Sequence, residues 1–147
     1  MVIGFAACGG GNDRTIDITY DVCAGVTVSA PSVTDDQRAR IDEGIELWRA
    51  RGLAQLARGS GSQAIEIRFD TASPAIHGLY DDETGIVYVN AALADDAVAI
   101  VVAHELGHAF GLVHSTERAS VMNPGNLTTA PTADDQAAIE ARWGICD

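Results

Sequence analysis

The stretch "AHELGHAFGLVHS", Ala103–Ser115, constrains this chain more than any other, because it holds three of its four histidines. His104 and His108 are four residues apart, so on a helix both imidazoles leave one face. That spacing suits two ligands of a single tetrahedral zinc ion. Gly111 lets the chain turn sharply, since glycine accepts positive φ, and the turn brings His114 back as a third ligand. Three histidines leave a fourth position for water, which distinguishes catalytic from structural zinc sites. Glu105 follows the first ligand directly and stands where it can take a proton from that water. A three-histidine donor set suits zinc among the divalent ions.

The motif requires a helix, and the flanking sequence supplies one. "AALADDAVAIVVAHELGHAFG" reads as a long helix that Asp95 or Asp96 would cap and Gly111 would end. An earlier helix runs through "SVTDDQRARIDEGIELWRARG", with Thr34 as N-cap and acidic residues in its first turn. Its Ile41, Ile45 and Trp48 form one apolar stripe, and Gly52 lies near its end. A third helix, "TADDQAAIEARWG", takes Thr132 as its cap. Three β-rich stretches, Thr15–Val22, Ala64–Asp70 and Gly85–Asn90, read as strands. "GVTVSA" (Gly25–Ala30) extends the first strand or forms a hairpin arm. "TASPAIHGLYDDETG" and the Pro/Gly-punctuated "SVMNPGNLTTAP" read as loops. Strands alternating with helices predict a mixed sheet with helices packed on it.

With 147 residues the chain fits one domain, residues 14–147, preceded by a short segment 1–13. A net charge of −12 repels phosphate backbones, which excludes nucleic acid as a partner and mildly favours neutral or basic substrates. No apolar run is long enough to span a membrane. The three cysteines form no CxxC pair, so a thiolate zinc cluster is unsupported. Cys23 and Cys146 flank the folded region and are a candidate disulfide, which would imply an oxidising compartment; two free thiols are the alternative. Cys8 ends a short apolar run followed by a Gly-rich linker. That looks like the tail of a bacterial lipoprotein signal with Cys8 as the lipidated residue, although no basic residue precedes the run; the alternative is a flexible apolar terminus.

The pattern HExxHxxGxxH resembles the signature of the metzincin zinc endopeptidases, and "SVMNP" (Ser120–Pro124) looks like their Met-turn, with Met122 as an apolar floor beneath the ligands. Within that clan the chain is most similar to the matrixins. His114 is followed by Ser115, and "TADDQAAIEARWG" looks like the matrixin C-terminal helix, whose acidic pair, here Asp134 and Asp135, braces the Met-turn and an N-terminal segment. The resemblance implies an α+β, metzincin-like fold: a twisted mixed β-sheet, a long active-site helix, a backing helix and a C-terminal helix. It implies one catalytic zinc on His104, His108 and His114, with Glu105 as general base. It implies that extended substrate pairs with an edge strand, for which Ile86, Val87, Tyr88 and Val89 are the candidates. Asn123 and Pro124 would line the pocket beside the zinc.

Three departures qualify the resemblance. The region that holds a structural zinc and calcium ions in matrixins offers only His77, Asp81, Asp82 and Glu83, which read as a surface histidine and a solvated turn; structural calcium is unsupported. Cys8 lacks the flanking residues of the family's zinc-blocking cysteine. Asn123 stands where several clan members carry a tyrosine, so tyrosine assistance to the oxyanion is not expected. The reading is a secreted or envelope-bound, monomeric, bacterial-type zinc endopeptidase acting on protein or peptide. The alternative is a catalytically silent or narrowly specific zinc-binding protein that captures peptides.

Overall fold

The computed structural model describes residues 15–146. The segment 1–13 and Cys8 lie outside the described residues. Eight regular elements follow a short 3₁₀ turn at Val22–Ala24: β1 (Thr27–Ser29), α1 (Asp35–Arg49), β2 (Ala57–Arg58), β3 (Ala64–Asp70), β4 (Gly78–Asp81), β5 (Ile86–Asn90), α2 (Asp95–Ala109) and α3 (Ala133–Trp143). The strands form one sheet in the order β2-β1-β3-β5-β4. All neighbours run parallel except β4, which is antiparallel to β5. A mostly parallel sheet with three helices gives the α+β, metzincin-like architecture expected.

Local chemistry sets the element ends. Thr34 caps α1 through a capping box with Gln37, satisfying two backbone donors reciprocally. Thr132 does the same for α3 with Asp135. α2 starts differently: its N-cap is Ala94, which has no side chain to accept a bond. The expected caps Asp95 and Asp96 are instead the first two residues of the helix, where their charge favours the positive end of the helix dipole. Ile65 and Ile67 of β3 point inward while Arg68 stays exposed, the period-two pattern of a half-buried strand. Ile41, Ile45 and Trp48 of α1 are buried and join Ile65, Ile67, Val87, Val102, Leu106 and Phe110 in one cluster. α2 is buried nearly all round, which explains why its sequence is apolar on every face except at the motif.

Four sequence expectations need correction. Thr15–Val22 alternates like a strand but joins no sheet, because its backbone donors go to scattered partners. Asp17 N–H bonds the Asp82 carboxylate, Ile18 N–H the Asp82 carbonyl and Tyr20 N–H the Ala109 carbonyl. Gly25–Ala30 is no hairpin arm; its β1 lies between two parallel neighbours. The stretch 71–85 contains strand β4 and is not all loop. Asp82 is not solvated: it is 4% exposed and spends its carboxylate on the Asp17 N–H.

A disulfide joins Cys23 and Cys146, tying the segment before β1 to the end of α3. It hints at a non-cytoplasmic protein. Among the described residues no helix is long and apolar enough to cross a membrane.

Candidate metal centre

His104 and His108 leave the same face of α2, and the backbone after α2 returns His114 to them. Gly111 makes that return: its φ of 97° lies in the left-handed region. A Cβ there would also meet the Arg142 guanidinium at 2.1 Å. One side-chain nitrogen from each of the three histidines lies within 4.8 Å of the others. His104 Nδ1 is 2.6 Å from the Val121 carbonyl, and His108 Nδ1 is 2.7 Å from the Leu112 carbonyl. A carbonyl only accepts, so each Nδ1 carries the proton and each Nε2 keeps its lone pair for a cation. His108 Nε2 and His114 Nε2 are 3.2 Å apart. Two ligands at a Zn–N distance of 2.0–2.1 Å on a tetrahedron would be separated by about 3.3 Å, so this donor pair fits zinc without rearrangement.

Burial favours the neutral, ligating form. It lowers the His104 pKa to about 4, against the opposing pull of the Val121 carbonyl. It lowers that of His114 as well.

Glu105 is buried beside His104 at 1% exposure. Its stem packs against β4, where a Cβ on Gly78 would come within 3.1 Å of Glu105 Cγ. Met122 is buried, and its sulfur fills the space left by Gly107, where a Cβ would lie 2.4 Å from Met122 Sδ. The tight turn Ser120–Asn123 that carries Met122 is closed by the Asn123 N–H on the Ser120 carbonyl. Ser115 N–H donates to the Met122 carbonyl and so joins the third histidine's segment to this turn.

The acidic pair divides. Asp135, 5% exposed, accepts bonds from the Ser120 hydroxyl, from Val121 N–H at 2.9 Å and from Thr132 N–H at 2.9 Å. Asp134 is solvent-facing and pairs with Arg118 at 3.3 Å, on the loop between His114 and the turn. His77 lies just before β4, partly exposed, where its carbonyl accepts from Asn90 N–H.

The expectation that Ile86–Val89 form an edge strand needs correction. Ile86–Val89 belong to β5, which is flanked by β3 and β4 and so has no free edge. The edge beside Glu105 is β4. Asn123 is committed internally: its amide donates to the Ser115 and Arg118 carbonyls and accepts from Ser120 N–H. Pro124 is exposed on the same loop.

Sequence reasoning missed several residues around the centre. Trp48 belongs to the apolar stripe of α1, yet its indole N–H donates 2.8 Å to the Ala103 carbonyl, next to His104. Trp143 does likewise to the Phe110 carbonyl at the other end of the motif. Their shared signal is an indole packed wholly or partly against the core, whose N–H needs an acceptor. Ser120 and Asn126 also bind the turn, and side-chain-to-backbone bonding is common for both types in loops.

Comparison with known proteins agrees with this geometry. The model of the matrixin family matches residues 77–144, a span that runs from just before β4 to the end of α3. No curated protein matches the chain. The match supports a metallopeptidase at family level, and with the histidine triad it suggests dependence on zinc. The match covers the residues that build the triad, and over that span the chain is similar to the matrixins, consistent with a matrixin-like catalytic domain of metzincin-like fold.

Proposed function

We propose that this protein is a zinc-dependent endopeptidase that hydrolyses peptide bonds of extended protein or peptide substrates. The observation that carries the reading is the convergence of three imidazoles, two of them with Nδ1 fixed on backbone carbonyls, beside the buried carboxylate Glu105. His104, His108 and His114 would hold the ion. Bound zinc would supply Lewis acidity, lowering the pKa of a water toward ~7 and polarising a carbonyl oxygen.

Glu105 accepts the proton of the attacking water as its oxygen bonds the scissile carbonyl carbon. It then delivers that proton to the amide nitrogen as the C–N bond breaks. Atoms balance with one water consumed per bond cut. Met122 floors the histidines, and Asp135 holds the turn that carries it. Edge strand β4 presents an unpaired backbone rim beside Glu105, and an extended substrate can add to it as a further strand. The Cys23–Cys146 bridge supports a working place outside the cytoplasm.

The test is digestion of an unstructured protein, with products read by mass spectrometry. A Glu105→Gln variant, checked to bind equal zinc, runs alongside. Cleavage by the parent alone supports the reading. Equal zinc in both with no cleavage by either would sink it and favour peptide capture.

A further inference from the structure

The loop that follows Met122 is organised by one side chain. The Asn126 amide uses all its bonding capacity. Nδ2 donates to the Val121 carbonyl at 3.1 Å and to the Thr129 carbonyl at 2.7 Å. Oδ1 accepts from Thr128 N–H at 3.1 Å and Thr129 N–H at 2.8 Å. The Val121 carbonyl is the same oxygen that receives His104 Nδ1 at 2.6 Å. Its two lone pairs therefore serve two donors, one on the loop after Met122 and one on a candidate zinc ligand.

We propose that Asn126 is a positioning residue that fixes the His104 imidazole through the Val121 carbonyl and so couples the shape of the loop 123–131 to the metal centre. The inference rests on the proposed zinc site and names a residue of it that the motif does not contain.

The geometry separates this role from general bracing. Asp135 holds the other side of residue 121, its N–H, and leaves the carbonyl free to tilt. Arg51 pins the far end of the loop, Nε to the Pro131 carbonyl at 3.0 Å, without touching Val121. The Asn126 bond constrains the direction in which the carbonyl meets the imidazole from the loop side. Groups behind a ligating histidine set its orientation and basicity, and their loss typically costs 10–100-fold in metal affinity. Asn126 acts one bond further out, so the lower end applies. In Asn126→Asp the side chain becomes acceptor-only, and the Val121 and Thr129 carbonyls face a carboxylate.

The experiment is zinc affinity by chelator competition, with the visible spectrum of the cobalt-loaded protein as a second readout. Asn126→Asp and Asn126→Ala are compared with Arg51→Ala. The expected result is a rise of about tenfold in zinc dissociation constant and an altered cobalt spectrum for both Asn126 variants. Arg51→Ala should match the parent in both. Asn126 variants within twofold of the parent, or an equal loss in Arg51→Ala, overturn the inference. Should neither Asn126 variant fold, zinc titration of the parent followed by NMR decides: the Asn126 side-chain amide protons should shift, and their indifference overturns it. A parent that binds no zinc overturns the proposed function and this inference together. A parent that binds while the variants match it overturns this inference alone.

Discussion

Asp135 and Asp134 are adjacent in sequence, yet their removal should have very unequal consequences. Asp135 is buried and satisfies three donors: the Ser120 hydroxyl, Val121 N–H and Thr132 N–H. Asp135→Ala leaves all three without an acceptor. An unsatisfied buried donor costs roughly 1–3 kcal/mol, more where the lost partner was charged. The Ser120 hydroxyl can rotate and water can reach half-buried Thr132, so a total of about 3–6 kcal/mol is reasonable. That is a large part of the 5–15 kcal/mol typical of a domain. At about 2–4 °C per kcal/mol for a chain of this size, the melting temperature should fall by roughly 10–20 °C.

Asp135→Asn should lie between, because one oxygen survives to accept from Val121 and Thr132. Asp134→Ala removes only a surface pair whose side chains are 59% and 61% exposed, and it should cost under about 0.5 kcal/mol. Thermal and urea denaturation of the three variants with the disulfide intact provide the assay. Equal shifts for Asp134→Ala and Asp135→Ala, or a shift under about 2 °C for the latter, would refute the assignment of the Met122 turn to Asp135.

Four further outcomes are expected. Gly107→Ala forces a Cβ to within 2.4 Å of Met122 Sδ; overpacking should cost about 1–3 kcal/mol, outweighing the gain in helix propensity, as read by denaturation. Gly78→Ala presses on Val101, the Tyr88 carbonyl and Glu105; cleavage should fall while zinc content holds, measured as turnover against metal stoichiometry. Reducing the Cys23–Cys146 bridge, which spans 123 residues of sequence, should remove up to about 5 kcal/mol by the chain-entropy relation, seen as a lower urea midpoint. Chelation should abolish cleavage and lower the melting temperature. Zinc at a thousandfold over its dissociation constant adds about 4 kcal/mol, so re-addition should restore roughly 10 °C.

What the sequence made legible follows from the range of the interactions involved. The histidine spacing, the Thr34 and Thr132 caps and the Ile41–Ile45–Trp48 stripe are set within one or two helical turns, and all sit where the periodicity puts them. β3 has the range its alternation implied. The Cys23–Cys146 pair was legible only because the two residues bracket the fold. β4 was hidden because its four residues are too few for a pattern and lie among Gly, Pro and Asp, which signal turns. β5 looked like an edge because sheet order is not a local property. Thr15–Val22 has the alternation of a strand, but its bonds reach Asp82 and Ala109, far along the chain.

The long irregular segments share a physical solution that composition conceals. Asn90, buried at the end of β5, gathers the carbonyls of Ala72, Ser73 and Ile76 onto one amide nitrogen and accepts from Ala92 N–H. Asn123 gathers Ser115 and Arg118 in the same way. Asn126 gathers Val121 and Thr129. Each is a loop whose backbone carbonyls point inward with no ladder to receive them, and buried carbonyls must be paired. A cation can do this, and so can a planar amide that supplies two hydrogens and two lone pairs from one side chain. Two of these three asparagines bracket the histidines in space, Asn123 through the segment after His114 and Asn126 through the Val121 carbonyl. Beside the Asp135 carboxylate, part of the rigidity around the histidines is thus supplied by neutral amides whose bonding does not change with pH. An Asn→Asp change at Asn123 or Asn126 turns a donor toward a carbonyl into a negative oxygen, so deamidation at these two positions should loosen the histidine cluster before it unfolds the core.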